Sequence, residues 1–83
     1  MFYVYVLRST KFSKNYTGFT KDLKKRIYHH NSGLDKFSRK YVPWKLIFYE
    51  AYLSEKDARK REVFLKTGRG REVIKKQLEF SLK

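Results

Sequence analysis

The chain has 83 residues, no cysteine, and 21 Lys and Arg against 8 Asp and Glu, a formal net charge of +13. A chain this short buries only about 60–65% of its unfolded surface, enough for one core and one domain, and the lack of cysteine excludes a disulfide staple and a thiolate metal site. The positive excess runs through both halves, with ten basic residues against two acids in 1–42 and eleven against six in 43–83, and self-repulsion on that scale points to a polyanionic partner, nucleic acid before any other.

Phe2 to Leu7 alternates β-branched and aromatic residues and predicts a strand. Tyr16 to Thr20 predicts its hairpin partner across a polar link, Ser9 to Lys14. A helix follows, with Thr20 as its cap, Asp22 in its first turn and Gly33 as a left-handed stop. Leu23, Arg26, Ile27 and His30 fall at i, i+3, i+4 and i+7, on one face of it. Burying a guanidinium and an imidazole unpaired on an apolar face costs several kcal/mol, so the pattern predicts that they line a wet cleft at the edge of the sheet.

Leu34 to Pro43 predicts a loop in which Lys36, Phe37, Arg39, Lys40 and Tyr41 interleave charge with flat rings, a combination that suits phosphates and unstacked bases. Trp44 to Tyr52 is a third strand whose unbroken apolar run, Leu46 to Tyr49, predicts burial on both faces, hence a central position or helices on both sides. Glu50 within it reads as an edge or ion-pair residue. Ser54 caps a second helix with Glu55 and Asp57 in its first turn, running to Thr67 with Gly68 as the stop. On it, Ala58, Arg61, Glu62 and Leu65 share a face, and Glu62 can serve either as a site carboxylate or as the i,i+4 partner of Lys66. Gly68-Arg69-Gly70-Arg71 then links to a last helix, Glu72 to about Leu82. No apolar run approaches the roughly 18–20 residues that span a bilayer, and no export signal is visible. The expected compartment is the cytoplasm, with the nucleoid allowed by the charge.

Elimination narrows the chemistry. Two adjacent histidines, His29 and His30, and no cysteine make no zinc tetrad. There is no Gly-rich phosphate loop ending in Gly-Lys, and the eight scattered acids are too few for a two-metal carboxylate site. What is left is poor in carboxylate and rich in tyrosine and cation. Such a set can hydrolyse a phosphodiester: a guanidinium, Arg26, meets the equatorial oxygens, and a phenol activates water. An ordinary phenol is ionised about one time in a thousand at neutral pH, and nearby positive charge raises that population.

The stretch from Phe2 to Gly33 resembles the GIY-YIG nuclease family. Tyr3-Val4-Tyr5 stands where the first motif ends in its tyrosine, Tyr16-Thr17-Gly18 stands for the second, and Arg26 and His30 follow at the family's spacing. The likeness is to the small single-domain bacterial members and covers nearly the whole chain. Two departures are a first motif without glycine and a threonine for the aliphatic residue of the second; neither removes a reactive group. The resemblance implies an α+β fold over residues 1–83, a three-stranded antiparallel sheet flanked by three helices. It implies an endonuclease acting on DNA with one divalent ion, Mg²⁺ or Mn²⁺, in repair or recombination. Its site residues would be Tyr5, Tyr16, Arg26, His30 and Glu62, with Tyr5 or Tyr16 as the base, His30 hydrogen-bonded to a tyrosine or a phosphate oxygen, and Glu62 holding the metal. Lys14, Lys36, Arg39, Lys40, Arg69 and Arg71 are the expected nucleic-acid contacts. Cutting both strands would need a homodimer or a larger repair or recombination partner. The competing expectation is a basic DNA- or RNA-binding module that no longer turns over.

Overall fold

A computed structural model describes all of residues 1–83. Three strands, β1 (Phe2–Ser9), β2 (Asn15–Thr20) and β3 (Trp44–Tyr52), form one antiparallel sheet in the order β2-β1-β3. Three helices, α1 (Leu23–Asn31), α2 (Glu55–Leu65) and α3 (Gly68–Gln77), flank it, and a 3-10 turn at Ser38–Tyr41 precedes β3. The α+β class and the three-stranded sheet are as the sequence implies.

The centre of the sheet is β1, not β3. Val4, Tyr5, Val6 and Leu7 have no exposed surface, because β1 is paired on both edges and covered on both faces. Val4 and Val6 face α2 and α3, in a core with Ala58, Leu65, Ile74 and Leu78. Tyr5 and Leu7 face α1, with Trp44, Leu23, Ile27 and Leu46. The apolar run in β3 does not signal the same burial: it is an edge strand, and Tyr49 is half exposed.

Helix boundaries follow the caps. Asp22, not Thr20, starts α1, its carboxylate accepting from Lys25 N at 3.1 Å, while Thr20 Oγ1 accepts from the Asp22 N–H just before it. Gly33, just beyond the capping Ser32, has φ +80°, the left-handed stop its position predicted. Gly68 is no stop, and Gly68 to Arg71 is no link. Thr67 caps α3, accepting from Gly70 N at 3.1 Å, so those four residues are its first turn. Gly70 is there because a Cβ would lie 2.6 Å from the Leu65 Cα, which closes the α2–α3 corner to any side chain.

Candidate active site

The register puts the two motif tyrosines on one face. Tyr5 pairs with Gly18 and Leu7 with Tyr16, so Tyr5 and Tyr16 are diagonal neighbours with ring centroids 6.3 Å apart. A Cβ at Gly18 would lie 2.6 Å from Tyr5 Cζ and 3.0 Å from Tyr16 Cε1. The missing side chain is therefore what lets the Tyr5 ring lie across the edge strand and carry its hydroxyl to the rim of the sheet.

There α1 meets it. Tyr5 Oη is 3.0 Å from His30 Nε2, and Arg26 Nε donates to the same oxygen at 3.3 Å. Arg26 can only donate, so the phenol accepts from it and is free to give its own proton to His30. The helical spacing that joins Arg26 to His30 thus closes a relay on one hydroxyl. His30 is fully buried, 4.6 Å from the Tyr16 ring, and its Nδ1 has no partner. The wet-cleft expectation holds for Arg26, which is partly exposed, and fails for His30, which is sealed under the sheet with the Tyr5 hydroxyl as its partner.

Burial decides the protonation states. His30 is lowered from 6.5 to about 4, first by desolvation and then by the Arg26 charge, so it is neutral at neutral pH. Tyr5 is pushed up to about 12 by burial, which outweighs the hydrogen bond from Arg26; Tyr16 and Glu62 add smaller rises. The expectation that Arg26 would draw a phenolate from Tyr5 is not met: near pH 7 roughly one Tyr5 in 100,000 is ionised. Arg26 is held in its charged form chiefly by Tyr5, with Tyr16 adding to it.

Glu62 stands on α2, which covers the opposite face of the sheet; it makes no contact with the tyrosine cluster, and only its charge reaches Tyr5, as the smallest of the influences on that phenol. Its carboxylate, largely covered, accepts from Lys66 Nζ at 3.0 Å, the i,i+4 pairing that its sequence position allowed. No three His, Asp or Glu side chains converge anywhere to hold an ion unaided. A single hard carboxylate fits a divalent ion that keeps most of its waters and takes other oxygens from a substrate phosphate, as Mg²⁺ does. Glu50 is engaged elsewhere, by Arg61 at 3.0 Å and the Tyr52 hydroxyl at 2.7 Å, as an ion-pair residue.

Tyr16 is the phenol that also faces outward. It lines a cleft of about 800 Å³ that carries five cations, Arg8, Lys14, Lys66, Arg71 and Lys75, against one acid, Glu79. Of the expected nucleic-acid contacts, Lys14 and Arg71 lie in this cleft. Lys36, Arg39 and Lys40 are exposed on and beside the 3-10 turn, while Arg69 is exposed in the first turn of α3 and does not line the cleft.

A family model for the GIY-YIG catalytic domain matches residues 1–76. The chain belongs to the GIY-YIG family. That domain is of a nuclease superfamily, and its pattern accounts for what the cluster retains. Among similar proteins is the UPF0213 protein CPE1444 of Clostridium perfringens, 40% identical over 67 residues, which are 80% of this chain and 71% of that one. The UPF0213 protein in the ldhD 5′ region of Pediococcus acidilactici is 39% identical over 77 residues, 89% of this chain and 78% of its own. The solution NMR structure of the UPF0213 protein BH0048 from Bacillus halodurans matches at 33% identity and TM-score 0.54, covering 89% of this chain and 82% of that one.

Both departures from the GIY-YIG motifs leave the relay intact. Tyr3, where the first motif has glycine, packs edge-on against Tyr49 at 6.0 Å and leaves the Tyr5 hydroxyl alone. Thr17 pairs with Val6 on the opposite face and lines the cleft instead. The one motif glycine that is kept, Gly18, is the one whose absent side chain the site needs.

Sequence reasoning missed several contributors. Asn31 acts as a strand would: its amide accepts from Trp44 N at 2.6 Å and donates to Trp44 O at 3.0 Å, fixing the end of α1, and so His30, against β3. An asparagine one residue past a site histidine carries no signal of this by itself. Arg8, Lys66 and Lys75 escaped because each belongs to a different element, and the cleft exists only once these pack together.

Proposed function

We propose that this chain is a divalent-metal-dependent endonuclease that hydrolyses phosphodiester bonds in DNA, with RNA accepted in so far as the cleft reads backbone charge. The observation that carries the reading is the convergence of Arg26 and His30 on the Tyr5 hydroxyl, with Tyr16 alongside.

In this reading the scissile phosphate lies at the mouth of the five-cation cleft, beside Tyr16. Arg26 spends its Nε on Tyr5 and makes only a long contact, 3.5 Å, from one terminal nitrogen to His29 Nδ1, so its terminal nitrogens can turn to the phosphate oxygens, where charge grows during attack. Tyr16, partly exposed where Tyr5 is sealed, takes the proton of the attacking water as its phenolate. The water oxygen bonds to phosphorus, the bond to the leaving oxygen breaks, and that oxygen is protonated from solvent. Tyr5 and neutral His30 are positioning residues that hold Arg26 in place. A cation bound by Glu62, Mg²⁺ or Mn²⁺, would neutralise the leaving oxygen. Lys66 must release Glu62 for that, and a phosphate in the cleft offers it a new partner.

The decisive comparison is wild type against Arg26→Ala and Glu62→Ala on supercoiled and branched DNA with Mg²⁺ or Mn²⁺. Cleavage by wild type and its loss in both variants is expected; an inert wild type, or variants that cut as well, refutes the assignment. One observation favours a second reading, a basic binding module: the Glu62 carboxylate is already satisfied by Lys66. Such a module would lose affinity steeply with salt yet show no dependence on a divalent ion. No helix is long and apolar enough to cross a membrane, and action in the cytoplasm, alone or with a repair or recombination partner, is part of the proposal.

A further inference from the structure

Beside the site, rings run outward to the surface in a chain. Tyr16 and Phe37 have centroids 6.1 Å apart, Phe37 and Tyr41 are 5.9 Å apart, and Tyr41 and Phe12 are 5.6 Å apart. The inner members pack on Trp44, but Phe37 and Phe12 are 49% and 53% exposed. Two half-bare phenylalanines are a cost to an isolated protein this small and gain nothing for its core.

They are also held in place. Asp35 Oδ1 accepts from the backbone N–H of Phe37 at 2.9 Å and of Ser38 at 3.1 Å, fixing the turn that presents Phe37. Ser9 Oγ accepts from Phe12 N at 3.1 Å and donates to Tyr41 O at 2.6 Å, tying the hairpin loop to the 3-10 turn. The rings are thus presented by ordered backbone from two separate loops. Their surroundings are cationic: Lys14 Nζ lies 5.4 Å from the Phe37 centroid and 5.5 Å from that of Tyr41, and Lys36, Arg39 and Lys40 are exposed around them.

Flat apolar faces in a collar of positive charge suit one partner chemistry above others: a base with a free face on a phosphate backbone. Paired bases inside a duplex have no free face, since each is covered by its neighbours. We infer that Phe37 and Phe12 form a stacking site for an unpaired nucleotide flanking the scissile phosphate, so that the substrate is a strand unpaired next to the cut. The inference rests on the nuclease reading for where the strand lies; its test needs no cleavage.

The test is binding, in EDTA, of a single strand carrying 2-aminopurine and of a duplex of the same length. Wild type is expected to prefer the single strand and to quench the probe as it stacks. Phe37→Leu and Phe12→Leu keep apolar bulk but lose the π face; each should weaken single-strand binding about tenfold and relieve quenching, with duplex binding changed by less than about twofold. Phe37→Trp should restore both, and unfolding midpoints guard against a folding defect. Leucine variants that bind and quench like wild type, a wild type that prefers duplex, or one that binds neither would overturn the inference. Cleavage lost in Arg26→Ala leaves this result untouched, and a failed stacking site leaves the nuclease reading standing.

Discussion

Gly18→Ala is the sharpest probe of how the site is built. Alanine in place of glycine inside a strand ordinarily stabilises by roughly 0.5–1 kcal/mol, because the unfolded chain loses freedom. Gly18 has no backbone conformation that forbids a side chain; what forbids it is space. The new methyl would lie 2.6 Å from Tyr5 Cζ and 3.0 Å from Tyr16 Cε1. Tyr5 has no exposed surface and cannot swing away without tearing its hydroxyl from His30 and Arg26. Overpacking costs about 1–3 kcal/mol, and a methyl this far inside van der Waals contact belongs at the upper end, about 2–3; less the entropic gain, the net loss is about 1–2.5 kcal/mol, or roughly 4–20 °C in midpoint for a domain this size. Urea and thermal unfolding measure it, and cleavage should fall at least about tenfold as the phenol leaves Arg26. In a Tyr5→Val background the same substitution should cost little, a coupling of at least about 1 kcal/mol between the two positions. If Gly18→Ala is neutral or stabilising in the wild-type background, the claim that this glycine exists to pass the Tyr5 ring is refuted.

Other expectations follow from the same cluster. His30, lowered to about 4 in the fold against 6.5 when free, adds stability that is complete above pH 6.5 and is lost as pH falls through 4. The ceiling is roughly 3 kcal/mol, which water reaching Arg26 and Tyr16 screens to about half, and His30→Gln should flatten that part of the stability–pH curve. Tyr5 is raised to about 12, so its contribution is complete below pH 10 and disappears as pH climbs through 12; Tyr5→Phe should remove that alkaline fall. Lys66→Met should tighten Mn²⁺ binding without nucleic acid about five- to tenfold by calorimetry, since it removes both a competing pair and a nearby positive charge. Unchanged Mn²⁺ affinity would mean that Lys66 does not compete with the ion. Asn31→Ala, which strips both bonds from the Trp44 backbone, should cost about 1–3 kcal/mol and slow cleavage through His30; equal stability would contradict its bracing role.

What could be read in advance divides along physical lines. The hairpin, α1 and its four-residue face were legible because alternation and helical spacing are local, and the Gly33 stop was legible because a left-handed residue is. The order of the sheet was not. The runs in β1 and β3 look equally apolar in sequence, and only the packing of α1 on one face and α2 and α3 on the other shows which is covered twice. Gly68 looked like a helix stop because glycine has that use more often than a place in a first turn; the tight α2–α3 corner at Gly70 overrode it. In the site, helical spacing put Arg26 and His30 on one face and the GIY-YIG resemblance joined Tyr5 and Tyr16 to them, but neither indicated that burial would outweigh Arg26 at Tyr5. Desolvation depends on what covers a group, and no local pattern encodes it.

The central claim is that Glu62 and the Arg26–Tyr16 pair hold a cation and a phosphate between them. Anomalous scattering from crystals grown with Mn²⁺ and a short single strand tests it most directly. The account predicts a metal peak on the Glu62 carboxylate, Lys66 turned to the strand, and a phosphate between the Arg26 guanidinium and the Tyr16 hydroxyl. A strand bound elsewhere, or no peak at Glu62 with the Lys66 bridge still closed, would contradict it.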